Sequence, residues 1–363
     1  MPAVSLKVGL TGGASAGHVV PALAVAAELR RSGVTDLVYF GRPDSIEEEL
    51  AVRAGLRFVP VSAAGLRRYR SARNFLMPAS VVKGVLQAWR AMRRERPDVL
   101  FSKGSYVAVP VGIAAWLVGI PLAVQESDHS LGLANRILAP FARRVLLSSP
   151  GTEIPKRAAR KSIVTGLPVR DDLIDGDPQR LRARLGISEK ERVLLIFCGS
   201  SGSVRINGAI RGHLSRLLER FTIVHVTGPG NLDEGMTDVA RYHQFEYLHD
   251  NMVDALWLAD LVIGRAGATT LAELSALGKP AVVVPLPASV SRGDQLDNAR
   301  AFAQGADRLV VLDDEHMPER LIEACLQLAD RLNSGARPVT DQASIRSAAH
   351  TVAQHVVGLT RRS

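Results

Sequence analysis

The sequence predicts an α/β protein built from two doubly wound, Rossmann-like domains that face each other across a cleft. Three observations carry this. Short β-branched runs alternate with helical patterns along the whole chain, the signature of parallel strands covered on both faces. The alternation occurs twice, with five strands read in each half and no sequence repeat between them. The chain, at 363 residues, is longer than one hydrophobic core usually serves.

In the first half, strands are read at 4–10 (VSLKVGL), 36–41 (DLVYFG), 98–102 (DVLFS), 121–125 (PLAVQ) and 144–148 (RVLLS). Helices are read near 18–31, 45–54, 79–95, 107–118 and 130–141. Residues 106–124 carry no charge and approach membrane-spanning length. Pro110, Gly112 and the Gly119-Ile120-Pro121 break make them a buried helix ending at Gly119, followed by a short core strand. The polar stretch PKRAARKSIVTGLPVR, 155–170, is read as the crossover, so the domains are expected over 1–164 and 165–340. Second-half strands are read at 192–198, 221–227, 261–264, 280–285 and 308–312. Its helices lie near 203–220, 250–259, 268–277, 293–304 and 316–332. A last helix, within 341–363, follows NSGARPVT and is expected to pack back on the first domain.

The net charge of +9 is uneven: residues 1–165 carry +12 and the remainder −3. The first half therefore meets something anionic. The basic residues concentrate in 66–96, with nine Lys or Arg and one acid. In the loop at the start of that stretch, Arg67, Arg68, Arg70 and Arg73 alternate with Leu66, Tyr69, Phe75, Leu76 and Met77. That mixture suits an anionic membrane surface, where charges meet headgroups and apolar groups enter the boundary. Along the following helix, Val82, Val85, Leu86 and Trp89 read equally well as core. No nucleic-acid recognition motif accompanies the charge, so nucleic acid is not an expected partner. Cys198 and Cys325 have neither metal-ligand spacing nor the number for a disulfide framework. The opening MPAVSLKVGL lacks a signal peptide's apolar run, which predicts a cytoplasmic protein.

Ligands of such sheets bind beyond the carboxyl ends of the strands. There, TGGASAGH (11–18) follows a strand and opens a helix, where backbone N–H groups and the helix dipole attract phosphate. Gly12, Gly13 and Gly17 allow close approach, Ala16 is small, and Ser15 adds a hydroxyl. It is neither the dinucleotide fingerprint nor a Walker loop. His18 at the helix start can hydrogen-bond a diphosphate or take a proton from an attacking hydroxyl; a merely structural histidine is the other reading. FCGSSGSVRIN (197–207) is a second glycine-serine turn, offering Ser200 and Ser201. In residues 260–302 a third small-residue turn, Gly267-Ala268-Thr269-Thr270, precedes Glu273, whose carboxylate suits the vicinal hydroxyls of a ribose. Asp294 and Gln295 open a further helix, with groups suited to sugar hydroxyls.

Taken together, TGGASAGHVVPALA (11–24), FSKGSYVAVPV (101–111), QESDHSLGLANRILA (125–139), TGLPVR (165–170), CGSSGSVRIN (198–207), VHVTGPGNLD (224–233), RAGATTLAE (265–273) and SRGDQLDNA (291–299) resemble the MurG family over nearly the whole chain. These are inverting, membrane-associated N-acetylglucosaminyltransferases of the GT-B fold that complete lipid II in peptidoglycan synthesis. The resemblance implies a donor, UDP-N-acetylglucosamine (UDP-GlcNAc), held by the second domain. Ser200 and Ser201 would lie near its diphosphate, Leu248 at the uracil, Glu273 on the ribose, Asp294 and Gln295 on the sugar, and Arg170 with 267–270 at the phosphates. The acceptor, lipid I, would place its diphosphate on the loop of Gly12, Gly13, Ser15, Ala16, Gly17 and His18. His18 is the first candidate for general base, with Glu126 and Asp128 as competitors. No cofactor is implied, and no divalent ion is required by the motifs. The implied place is the cytoplasmic face of the membrane, as a peripheral protein.

Departures from the family pattern are Gln125 where His is common, Cys198 and Ser201 in the second turn, and Ala14 with Ser15 in the first. They leave open a relative acting on another lipid-linked or natural-product acceptor. Two readings from other classes are a UDP-GlcNAc 2-epimerase and a non-catalytic nucleotide-sugar-binding protein at the membrane surface.

Overall fold

Strands without a charged residue in their interior need cover on both faces, and the two sheets of this protein supply it. The computed structural model describes residues 6–63, 77–199, 201–248, 251–288, 293–304, 307–332 and 342–360. They form two units, Met1–Asp171 with Arg346–Ser363, and Asp172–Ile345.

The first unit runs β1 (Lys7–Thr11), α1 (Ala16–Arg31), β2 (Asp36–Gly41), α2 (Ile46–Arg53), β3 (Arg57–Pro60), α3 (Met77–Glu95), β4 (Val99–Ser102), α4 (Ala108–Leu117), β5 (Leu122–Glu126), α5 (Leu133–Leu138), β6 (Arg144–Leu147), α6 (Lys156–Ala159) and β7 (Ser162–Val164). The strands lie in the order β3-β2-β1-β4-β5-β6-β7, all parallel. The winding direction reverses between β1 and β4, and that switch point is where open α/β sheets bind ligands. Local signals set the helix starts. Ser45 caps α2 by accepting from Glu48 N–H, and Glu47, Glu48 and Glu49 complement the dipole in its first turn.

The second unit runs α7 (Pro178–Leu185), β8 (Val193–Phe197), α8 (Val204–Gly212), α9 (Leu214–Leu218), β9 (Thr222–Val226), β10 (Tyr242–Phe245), α10 (Met252–Leu258), β11 (Leu261–Arg265), α11 (Ala268–Ala276), β12 (Ala281–Val284), α12 (Asp294–Phe302), β13 (Arg308–Val310) and α13 (Met317–Leu332). Its sheet is again parallel throughout, β10-β9-β8-β11-β12-β13, with the switch between β8 and β11. Asp177 caps α7 ahead of Pro178, and Gly186 ends it with a left-handed φ of 67°.

The last helix, α14 (Gln342–Val357), sends Val352, Ala353 and Val356 into the first unit's core beside Val8, Val25 and Leu29. His350 Nδ1 meets Glu28 Oε1 at 2.7 Å, and Arg346 lies 3.7 Å from Asp171. The helix thus belongs with the first sheet although it is last in sequence.

Three strands, β3, β7 and β10, were not readable from the sequence. All are sheet edges and only partly covered, so they need no apolar run. The single helix read at 203–220 is two, α8 and α9, broken at His213. The surface of α4 departs more: Trp116 and Leu117 in its last turn are half exposed, against the expectation of a buried helix. Val82 and Leu86 of α3 are likewise half exposed and not core. Among the described residues, no helix is long and apolar enough to cross a membrane.

Candidate functional site

At the first unit's switch point, β1 ends at Thr11 and the chain turns into α1 through residues 12–15. Two buried groups fix that turn from below. Tyr39 of β2 donates its hydroxyl to Gly12 O at 2.5 Å. The fully buried Glu47 of α2 accepts from Ala14 N–H at 3.3 Å and Arg42 N–H at 3.4 Å. The carboxylate lies so close under Gly13 that a Cβ there would come within 2.6 Å of Glu47 Oε1. Ala14 takes a φ of 68°, a left-handed conformation that costs an L-residue about 1–2 kcal/mol. Ser15 is the N-cap of α1 but makes no side-chain cap; its hydroxyl instead meets His18 Nδ1 at 3.1 Å. The α1 N-terminus, with Ala16 as its first residue, has no side-chain cap and no acidic residue in its first turn. Burial, and then the Lys103 charge, hold His18 down at about 4, so its imidazole is neutral at pH 7.

The neighbouring strands bring up their own ends. Lys103 follows β4 and is fully buried. Glu126 ends β5, and its carboxylate is occupied: Oε1 accepts from Ser127 N–H (2.8 Å) and Asp128 N–H (3.2 Å), Oε2 from Gly132 N–H (2.8 Å) and Asn135 Nδ2 (3.0 Å). Glu126 therefore holds the 127–135 loop in shape. Asp128 stands on that loop, partly exposed. Gln125 is fully buried and donates to Gly166 O at 3.1 Å. Arg170 is near the end of this unit.

In the second unit, a pocket at the switch point is lined by Cys198, Gly199, Ser201, Gly202 and Ser203 after β8, Arg265 at the end of β11, Gly267 after it, Thr270 of α11, Leu286 after β12 and Gln295 of α12. Backbone packing builds the turn. A Cβ on Gly202 would fall 1.9 Å from Thr227 O, so only glycine lets the two loops cross. Ser203 caps α8 and accepts from Arg265 at 2.9 Å; Arg265 is held in turn by Asp313 at 2.7 Å. Beneath the crossing, the buried His225 joins Tyr242 (2.9 Å) to Asn207 (3.0 Å), and Asn207 donates to Thr227 O at 2.9 Å. Gly267 starts α11 without a side-chain cap, with Ala268, Thr269 and Thr270 in the first turn. Glu273 lies one turn on, buried. Asp294 opens α12, and Gln295 accepts from Leu286 N–H at 3.0 Å. Leu248 is buried, its carbonyl accepting from Asn251 N–H at 2.7 Å. Ser200 lies outside the described residues.

So the first unit brings Gly12, Gly13, Ser15 and His18 together, and the second brings Ser201, Gly267, Thr270 and Gln295 around one pocket. Leu248 does not line that pocket. Sequence reasoning missed Lys103, Glu47 and Arg265. The signal for Lys103 was a lone lysine between an apolar strand and a glycine.

The membrane-contact residues Leu66, Arg67, Arg68, Tyr69, Arg70, Arg73, Phe75 and Leu76 fall outside the described residues; Met77 starts α3. Val82, Leu86, Trp116 and Leu117 stand half exposed on α3 and α4, Lys83 and Arg90 of α3 are exposed, and Arg93 stacks on Trp89 at 4.8 Å.

Two parallel sheets, each with a glycine turn at its switch point, are the build of glycosyltransferases of the two-domain B type. The family comparisons agree. The N-terminal domain of glycosyltransferase family 28 matches residues 8–147 and its C-terminal domain 193–355. The chain belongs to glycosyltransferase family 28. It is 42% identical over 323 residues, 89% of this chain and 90% of the relative, to the UDP-N-acetylglucosamine–N-acetylmuramyl-(pentapeptide) pyrophosphoryl-undecaprenol N-acetylglucosamine transferase of Geobacillus kaustophilus. The crystal structure of Acinetobacter baumannii MurG superposes with a TM-score of 0.67 at 25% identity, covering 99% of this chain and 100% of that one. A UDP-GlcNAc 2-epimerase from Neisseria meningitidis reaches 0.68 at 13% identity, over 97% and 100% of the chains, which is a likeness of fold alone.

Proposed function

We propose that this protein transfers N-acetylglucosamine from UDP-GlcNAc to the C4 hydroxyl of the muramoyl sugar of lipid I, with inversion, forming lipid II. The observation that carries the reading is the 42% identity to a transferase of that name along 89% of the chain. The two glycine turns, one per unit, fit a reaction with a diphosphate on each partner.

The donor sits in the second unit. Its diphosphate lies over Ser200, Ser201 and the α11 N-terminus at 267–270, while Leu248 meets the uracil, Glu273 the ribose, and Asp294 and Gln295 the sugar. The acceptor diphosphate lies on residues 12–18. His18 is the base, because its imidazole is neutral and Ser15 engages one ring nitrogen. Glu126 shapes the 127–135 loop, and Asp128 binds the acceptor there. The protein works as a peripheral protein on the cytoplasmic face of the membrane, through 66–77 and the exposed Val82, Leu86, Trp116 and Leu117.

The test is transfer of radiolabel from UDP-GlcNAc to a lipid I analogue by the purified protein. Label in the lipid supports the reading. Release of N-acetylmannosamine without acceptor would mean an epimerase, and binding without turnover a nucleotide-sugar-binding protein.

A further inference from the structure

Two side chains meet across the carboxyl end of the first sheet with hydrogen-bond donors to spare. Arg42 follows β2 and Tyr106 follows β4, and those two strands flank β1 on either side. Neighbouring strands are about 4.8 Å apart, so β2 and β4 run roughly 10 Å from each other. Arg42 closes that gap: its Nη1 donates to the Tyr106 hydroxyl at 3.1 Å. The pair therefore spans the end of β1, where the chain turns through residues 12–15 into α1.

The backbone of Arg42 is fixed as well. Its N–H donates to Glu47 Oε1 at 3.4 Å while Ala14 N–H donates to Glu47 Oε2 at 3.3 Å, so one carboxylate holds Arg42 beside the glycine turn. Ser45 Oγ donates to its carbonyl at 2.5 Å. Both Arg42 and Tyr106 are only partly buried. Among the described residues the guanidinium has no carboxylate at ion-pair distance, and the Tyr106 hydroxyl, which accepts its bond, donates to nothing. Most donors of the fork are unused.

The charge around the turn calls for such a group. Residues 12–18 hold no lysine or arginine. Glu47 puts a buried carboxylate beneath the turn, and Lys103, which follows β4, is buried with its ammonium on Ser127 Oγ. A diphosphate met by backbone N–H groups alone would lie over a charge of its own sign. A guanidinium at the rim offsets that repulsion, and its planar fork matches two phosphate oxygens at once.

We propose that Arg42, held across the end of β1 by Tyr106, is a cationic clamp on the acceptor's diphosphate, with the Tyr106 O–H as a second donor to the same oxygens. This rests on the reading of residues 12–18 as the acceptor's site and deepens it. The pair makes and breaks no bond. It holds the acceptor equally before and during transfer, so it governs the acceptor KM and leaves kcat little changed. A peptide carboxylate of the acceptor would suit the same fork, and a probe with a diphosphate and no carboxylate separates the two.

The experiment measures binding of geranyl diphosphate to the full-length protein by calorimetry at low and high salt. The wild type binds the probe and weakens as salt rises, because a partly exposed cation is screened. Arg42→Met removes the fork and keeps an apolar stem; it lowers probe affinity about tenfold or more and flattens the salt dependence, with UDP affinity unchanged. Arg42→Lys keeps the charge without the fork, Tyr106→Phe unties the fork, and each loses a smaller part of the affinity. In transfer assays Arg42→Met raises the acceptor KM by the same factor.

Probe affinity and salt dependence unchanged in Arg42→Met overturn the proposal, as does a wild type that does not bind the probe. A raised acceptor KM with unchanged probe affinity also overturns it and assigns the fork to a carboxylate. Should Arg42→Met not fold, wild-type probe affinity in both Arg42→Lys and Tyr106→Phe refutes the clamp. If the wild type transfers no label to lipid I while the variants lose the probe as described, it is the transferase reading that has failed and not the clamp.

Discussion

Gly202→Ala and Gly208→Ala make the same chemical change six residues apart, and the structure assigns them opposite signs. At Gly202 the new methyl would lie 1.9 Å from Thr227 O and 2.8 Å from Thr227 C, with a backbone φ of 69°. Ordinary contact begins near 3.4 Å, so the loops must part by about 1.5 Å. Overpacking of this kind costs roughly 1–3 kcal/mol. The left-handed φ adds about 1–2 kcal/mol for any side chain. At Gly208, on the exposed face of α8, a Cβ meets nothing within 4 Å, and Ala gains about 0.5–1 kcal/mol over Gly in a helix. Urea unfolding of the two variants, with UDP affinity by calorimetry, reads both effects. Gly202→Ala is expected to lose about 2–5 kcal/mol, or to shed the strain by displacing the 199–203 turn and weakening UDP at least tenfold. Gly208→Ala is expected to gain stability and keep affinity. A Gly202→Ala protein as stable as the wild type with undiminished UDP affinity would refute the loop-crossing argument.

Other consequences are as direct. Ala14→Gly removes a left-handed strain at φ 68° and should raise the melting temperature by about 2–4 °C, by scanning calorimetry. His225 is fully buried and its folded pKa is lowered to about 3, below the unfolded value of 6.5, by burial and then by Arg211. Its contribution to stability is therefore complete above pH 6.5 and falls by about 1.4 kcal/mol per pH unit below it; His225→Phe should flatten that slope in urea titrations from pH 7 to 5. His18→Ala should abolish turnover and keep UDP binding, whereas Glu273→Ala should mainly weaken the nucleotide; the reverse outcome would exchange the roles of the two units. Replacing Trp116 and Leu117 together by Ser should weaken binding to anionic vesicles in a flotation assay, with the fold intact by circular dichroism, because both side chains are half exposed.

Much of this was legible in the sequence because two-sided burial leaves a plain mark. VLLIF (193–197), LAVQE (122–126) and AVVV (281–284) are central strands, and central strands of a parallel sheet are apolar on both faces. RFVP, SIV and YHQF are edges that bury little, so no pattern announced them. The turns at 12–18 and 198–203 were legible as breaks of small residues between a strand and a helix. What held them was not: Glu47, Arg265 and Asp313 come from distant elements, and nothing local to those residues tells a buried charge from a solvated one. The Gln125 departure illustrates the point. In sequence it sits beside Glu126 in a candidate site, but its side chain ties β5 to Gly166. Trp116 and Leu117 read as core because they sit in an uncharged run; their exposure depends on which face of α4 the sheet covers.

The central claim is a division of labour, with the nucleotide diphosphate on the second unit's turn and the lipid diphosphate on the first. A crystal structure with UDP-GlcNAc bound tests it most directly. The account predicts the diphosphate against residues 199–203 and 267–270, with Glu273 on the ribose. A diphosphate lodged on residues 12–18 would contradict it.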